Sequence, residues 1–126
     1  YNARFGDPEA MNVLPLMKSN FVESCQAVID GTLANVNIEF ARKATVCKYV
    51  VPEGYPDKPE PSKITIPSYE KDGIQALTYD ASVEDRDGII YTTNSRAVAF
   101  VGIGDSIDEA EKIAREILDI ALEHEV

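Results

Sequence analysis

The densest set of reactive side chains lies in the first nine residues. Asn2, Arg4, Asp7 and Glu9 bring one amide oxygen, one guanidinium and two carboxylates close together along the chain. An amide oxygen is a donor that Mg²⁺, a hard cation, accepts. An arginine holds a phosphate or carboxylate through a planar two-pronged fit. Residues 1–5 read as the end of a strand, on which Asn2 and Arg4 share a face because side chains repeat every second residue. Asp7 is a good N-cap, Pro8 suits a first helical position, and Glu9 favours the positive end of a helix. Free backbone N–H groups at that helix start would add to an anion site. The plain alternative is a strand-turn-helix corner with a capped helix and no chemistry.

Other constellations carry less. Cys25 and Cys47 are not in a C-x-x-C spacing and each falls on an apolar stretch, so both read as buried reduced thiols. Gly102-Ile103-Gly104-Asp105 follows a strand and precedes a helix, as a dinucleotide loop would. Ile107 stands where the third glycine belongs, and the Asp105 carboxylate would face a pyrophosphate, so a tight strand-to-helix turn explains it better. Glu84-Asp85-Arg86-Asp87 reads as a solvated hairpin turn before it reads as a cation site. Asp108, Glu109, Glu111 and Glu116 read as the solvent face of the last helix. The single histidine, His124, reads as uncommitted; it excludes a site with several His ligands and argues against a Ser-His-Asp or Cys-His pair.

The elements that must position these residues follow from pattern. A helix is predicted over residues 8–17, weakened in its last turn by Pro15. Ser19-Asn20 caps a second helix, with Phe21, Cys25, Val28 and Ile29 on one face and Gly31 as its stop. Residues 32–43 form a connector. Residues 44–51 are β-branched and aromatic and read as a strand. Residues 52–61 hold four prolines and a glycine, so they form a loop. Residues 63–66 read as a short edge strand, 74–81 as a strand, 84–88 as a turn and 89–93 as a strand. Asn94-Ser95 is a tight turn. Residues 96–103 are almost continuously apolar, as in a strand covered on both faces. Ser106 and Glu109 form a capping box, and Ala110, Ile113, Ala114, Ile117 and Ala121 stripe a helix to about residue 122. The class is α+β.

Composition bounds the partners. The chain has 126 residues, 44% hydrophobic and 27% charged, the profile of a folded domain. No apolar run approaches the roughly 18–20 residues of a membrane-spanning helix, and the first segment lacks the apolar stretch of a signal peptide. The net charge is −10, and it is uneven: residues 1–63 carry seven Lys/Arg against eight Asp/Glu, residues 64–126 five against fourteen. An acidic surface repels nucleic-acid backbones and anionic lipid, so no nucleic acid and no membrane is expected as a partner.

The run Asn2-Ala3-Arg4-Phe5-Gly6-Asp7-Pro8-Glu9 resembles the N-x-R-F-G-D-P-E signature of the glycinamide ribonucleotide synthetases, the phosphoribosylamine–glycine ligases of the ATP-grasp superfamily. The likeness continues through Leu14-Pro15-Leu16, Ala44-Thr45-Val46-Cys47, Gly54-Tyr55-Pro56 and Arg96-Ala97-Val98 into Gly102-Ile103-Gly104-Asp105-Ser106, and covers essentially the whole chain. It departs at Tyr79-Asp80-Ala81-Ser82, where many members have His-Ala-Gly-Thr, and at Asn94-Ser95, where many have Gly-Gly. These departures point to a divergent branch.

The resemblance implies a C-terminal fragment of a cytoplasmic enzyme of de novo purine synthesis. Residues 1–42 would be the end of the ATP-grasp catalytic core, a strand-turn-helix plus a helix. Residues 43–126 would be the C-terminal α+β domain, a mostly antiparallel sheet with one long helix packed on it. The upstream core and its lid, parts of the same polypeptide, would be the remaining partners. ATP is implied as co-substrate and Mg²⁺ (or Mn²⁺) as metal, with glycine and phosphoribosylamine as small-molecule substrates. Asn2 would be a metal ligand, and Arg4 a catalytic residue facing the phosphoryl or carboxylate group. Asp7 and Glu9 would bind substrate, although orienting Arg4 or capping the helix are alternative roles. The fragment alone is expected to be inactive. Two rivals stand beside this reading: a non-catalytic α+β interaction domain, and an ATP-grasp ligase of different substrate, against which the G-D-P-E continuation argues.

Overall fold

A computed structural model of the chain describes residues 2–67 and 75–123. Residue 1 of the expected strand end, residue 74 of the expected 74–81 strand and His124 lie outside the described residues. The chain divides into two compact units, Tyr1–Lys43 and Ala44–Val126.

The first unit is helical. Residues 2–5 run through bends and form no strand, which corrects the expected strand end. A strand needs a paired edge for its N–H and C=O groups, and every described strand ladder lies in the second unit. Helix α1 spans Glu9–Val13, with Pro8 at its N-cap and no side-chain cap, so Asp7 does not cap it. Pro15 has the effect foreseen: it cannot donate to a continuing α-helix, and the chain tightens into a 3-10 turn over Leu14–Leu16. Helix α2, Phe21–Asp30, starts where Asn20 accepts hydrogen bonds from the Val22 and Glu23 amides and ends at Gly31 in the left-handed conformation. Its orientation differs from the simple apolar stripe. Ser24 and Ala27 are buried, whereas Phe21, Val28 and Ile29 are exposed. Cys25 is exposed too, and Cys47 is half-buried, so neither thiol is the buried one expected. Packing inside this small unit favours the small side chains, and Phe21 and Val28 line an open apolar groove with Leu14, Met17 and Phe40.

The second unit holds the α+β core. Strands are β1 (Ala44–Val50), β2 (Lys63–Ile64), β3 (Gln75–Asp80), β4 (Val83–Arg86), β5 (Ile89–Thr92) and β6 (Val98–Gly104), followed by α3 (Ile107–Glu123). They form two antiparallel three-stranded sheets, ordered β1-β6-β3 and β2-β5-β4. β6 is central in the first, paired on both edges and covered by α3 on one face. Successive residues Val98–Val101 are all buried, so both faces of the strand are out of water, as its continuously apolar sequence requires. β3 and β6 bend together into β4 and β5. Bonds from the Ala81 amide to Ala97, the Ser82 amide to Arg96 and the Thr93 amide to Ser82 carry the pairing around the bend, and the Ser82 and Thr93 hydroxyls bond each other across it.

The acidic run expected as a turn is mostly strand. Only Asp87 and Gly88 turn, both with positive φ (57° and 81°), as a two-residue hairpin of the Asp-Gly type demands. Asp85 accepts from the Gly88 amide, and Glu84 accepts from Arg86 at 2.6 Å, so these carboxylates serve the hairpin.

The core forms where α3 meets β6. Ala110, Ile113, Ala114, Ile117 and Ala121 are buried at helical spacing, and Val98, Phe100, Val50 and Ile64 pack with them. Gly102 and Gly104 explain the glycine pair: a Cβ at Gly102 would strike the Ala110 carbonyl and come within 2.8 Å of the Ala114 amide, and one at Gly104 would lie 2.8 Å from the Ala110 amide. They admit the helix backbone onto the strand. Half of the capping box closes as expected, with Ser106 Oγ accepting from the Glu109 amide, while the Glu109 carboxylate reaches one residue further back than the N-cap and accepts from the Asp105 amide at 2.6 Å. Lys48 on β1 and Arg115 on α3 both donate to Glu111, at 2.9 and 2.8 Å. The Lys48 bond, then the Arg115 bond, lower the Glu111 carboxyl below its ordinary value.

Candidate functional site

Asn2, Arg4, Gly6 and Glu9 line one open cleft of ≈ 420 Å³. Three of the four residues singled out by sequence therefore meet, although no strand aligns Asn2 with Arg4. The bends at Ala3 and Arg4 bring both to the cleft instead. Asp7 does not line it. All four side chains are exposed, which leaves the guanidinium and carboxylates accessible to a charged ligand.

Local contacts hold the corner. Arg4 Nη1 donates to the Phe5 carbonyl at 2.9 Å, which folds the guanidinium back toward its own backbone. The Phe5 ring lies 5.8 Å from that of Phe21, tilted by 44°, and so ties the segment to α2. The Ala10 amide donates to the Gly6 carbonyl at 2.9 Å, and Asn12 Nδ2 donates to the Pro8 carbonyl. The Asp7–Pro8 peptide is cis. Helix α1 has only five residues, too few for the dipole and free N–H array expected at its start.

The arrangement sets one guanidinium and one carboxylate on the same cleft, with an amide oxygen beside them. It can receive an anion at Arg4, a cation or ammonium group at Glu9, and a hard metal at Asn2. Among the described residues, no group of three or more His, Cys, Asp or Glu side chains converges to hold a metal. Gly6 was not singled out by sequence, although its place three residues before Glu9, at the mouth of a helix, was the available signal.

No helix among the described residues is long and apolar enough to cross a membrane. The family profile "Phosphoribosylglycinamide synthetase, C domain" matches residues 45–125. The chain is 53% identical over 120 residues to a phosphoribosylamine–glycine ligase of Methanocella arvoryzae, covering 92% of this chain and 26% of that protein. It is 52% identical over 119 residues to the ligase of the same name from Methanocaldococcus jannaschii, again over 92% of this chain and 26% of the other. The crystal structure of phosphoribosylamine–glycine ligase from Thermotoga maritima superposes with a TM-score of 0.68 at 29% identity, covering 94% of this chain and 29% of that one. The chain thus spans about a quarter of the length of the curated relatives it matches.

Proposed function

The chain belongs to the phosphoribosylglycinamide synthetase family, and from that premise we propose that it is the C-terminal part of an ATP-dependent carboxylate–amine ligase of purine biosynthesis. The ligase joins glycine to phosphoribosylamine. Residues 1–42 belong to its ATP-grasp core and residues 43–126 form its C-terminal domain. The observation that carries the reading is the meeting of Asn2, Arg4 and Glu9 at one cleft, in a segment that bears the family signature.

A glycine carboxylate oxygen attacks the γ-phosphorus of ATP, ADP leaves, and glycyl phosphate forms. The amine of phosphoribosylamine then attacks the acyl carbon, the carbon–oxygen bond to phosphate breaks, and glycinamide ribonucleotide and phosphate result. Arg4 faces the phosphoryl and carboxylate oxygens and stabilises the charge that gathers there. Glu9 binds a substrate amine. Asp7, off the cleft, takes its part by orienting the segment or by contact with a substrate that extends past it. The Asn2 amide oxygen fits a hard cation and would hold Mg²⁺ or Mn²⁺ with carboxylates from elsewhere in the polypeptide. The metal, when bound, offsets charge on the transferring phosphoryl group. The reaction belongs to the cytoplasm.

The test is ADP release by the full-length polypeptide. Release should require ATP, a divalent metal, glycine and phosphoribosylamine together. Turnover that persists without glycine, or that uses another acid in its place, would assign the fold to a different ligase.

A further inference from the structure

Resting on the reading of Glu9 as a substrate-binding carboxylate, we propose that Gly6 is a positioning residue whose missing side chain makes room for that carboxylate at the cleft. A glycine is kept either for its backbone or for its emptiness. Three other glycines, Gly31, Gly54 and Gly88, have positive φ and are held for their backbone. Gly6 is not among them, so an alanine there meets no left-handed strain. What an alanine meets is Glu9. A Cβ at Gly6 would collide with the Glu9 Oε2 atom, lie 2.7 Å from its Cδ and 3.1 Å from its Cβ. No backbone atom is among those three nearest neighbours. The Glu9 carboxylate thus folds back over the bare Cα of Gly6, and both residues line the cleft.

A clash with the far end of a flexible side chain is relieved by rotating it. Gly6→Ala should therefore leave the fold intact and turn the carboxylate away from the cleft. Its effect should pass through Glu9, because the three atoms nearest the added methyl group all belong to that side chain.

The experiment is a double-mutant cycle on the full-length ligase: Gly6→Ala, Glu9→Ala and the pair, each measured for melting temperature and for kcat and KM of glycine and of phosphoribosylamine. Loss of a charge-assisted contact made equally in the ground and transition states raises KM and spares kcat. Gly6→Ala should raise the KM of the substrate that Glu9 holds by about 10-fold or more, with kcat within about two-fold and an unchanged melting temperature. In the Glu9→Ala background the same alanine should change nothing, since no carboxylate remains to displace. A rise in KM that is equally large in both backgrounds would overturn the proposal. So would a normal KM in Gly6→Ala beside a raised one in Glu9→Ala, which leaves the reading of Glu9 standing. A melting temperature lowered in Gly6→Ala and not recovered in the pair would make Gly6 a structural glycine and overturn it too. A normal KM in Glu9→Ala would remove the reading of Glu9 itself, and the proposal with it.

Discussion

At the scale of single residues, Arg4 is the side chain on which the proposed chemistry turns. Its guanidinium is exposed at the cleft and its described hydrogen bond is to the neighbouring Phe5 carbonyl, so the fold does not depend on it. In the full-length enzyme, Arg4→Ala should lower kcat and kcat/KM together, on the order of 10²–10³-fold, as when one preorganised donor is removed from an anion site. The melting temperature should not move. Lysine there should rescue only partly, because a point charge lacks the two-pronged fit. Steady-state kinetics decide it: near-normal kcat would leave Arg4 as a surface residue. The residue types of this corner were legible because an amide, a guanidinium and carboxylates so close in sequence have few structural uses in common. Their arrangement was not. The face shared by Asn2 and Arg4 was inferred from a strand that the described residues do not form, and Gly6 carries no functional group to draw notice. Its role emerges only from the position of the Glu9 side chain.

At the scale of elements, the pairing of α3 with β6 governs the second unit. Ile117 is fully buried, in the same hydrophobic cluster as Phe100 and Val98. Ile117→Asp places an unpaired carboxylate there and should destabilise by about 4 kcal/mol. A denaturant melt that shifts by less than about half a kcal/mol, the scale of a neutral surface change, would mean that the helix is not docked. The helix and its partner strand were legible because both signals are long: a 3–4 spacing of apolar residues on α3, and an unbroken apolar run on β6. The capping box marked the helix start for a local reason, since its two bonds involve residues within four positions of each other. Short elements were harder. Residues 84–88 read as a turn because four of the five are charged, yet the register of Glu84 with Tyr91 and Arg86 with Ile89 makes three of them strand. Charged side chains are tolerated on an exposed strand face, and only the Asp-Gly pair has the backbone freedom that a two-residue turn requires. The face of α2 departs from its pattern for a related reason: periodicity shows that a helix has an apolar side, but what covers that side lies outside the periodicity. In the first unit the small Ser24 and Ala27 turn inward while Phe21 and Val28 stay exposed.

At the scale of the whole chain, charge and site lie on different units. Residues 1–43 carry four Lys/Arg against five Asp/Glu, whereas residues 44–126 carry eight against seventeen. The candidate site is on the nearly neutral unit, and among the described residues Arg4 supplies the cleft's one cationic group. That falls short of what a nucleotide triphosphate needs. Mg²⁺ bound with substrate phosphates relies on carboxylates that converge on it, and the described residues offer one carboxylate, Glu9, and the Asn2 amide at the cleft. The chain's net charge of −10 adds long-range repulsion toward ATP, which salt screens over about 8–10 Å. The 126-residue chain by itself should therefore bind ATP·Mg²⁺ more weakly than micromolar and should release no ADP. Whatever binding exists should weaken slightly at low ionic strength, where the repulsion is least screened. Calorimetric titration of residues 1–126 is the measurement. A sub-micromolar dissociation constant would mean that the corner around Arg4 completes a nucleotide site on its own. The division of labour proposed here, in which the rest of the polypeptide supplies the missing carboxylates, would then be wrong.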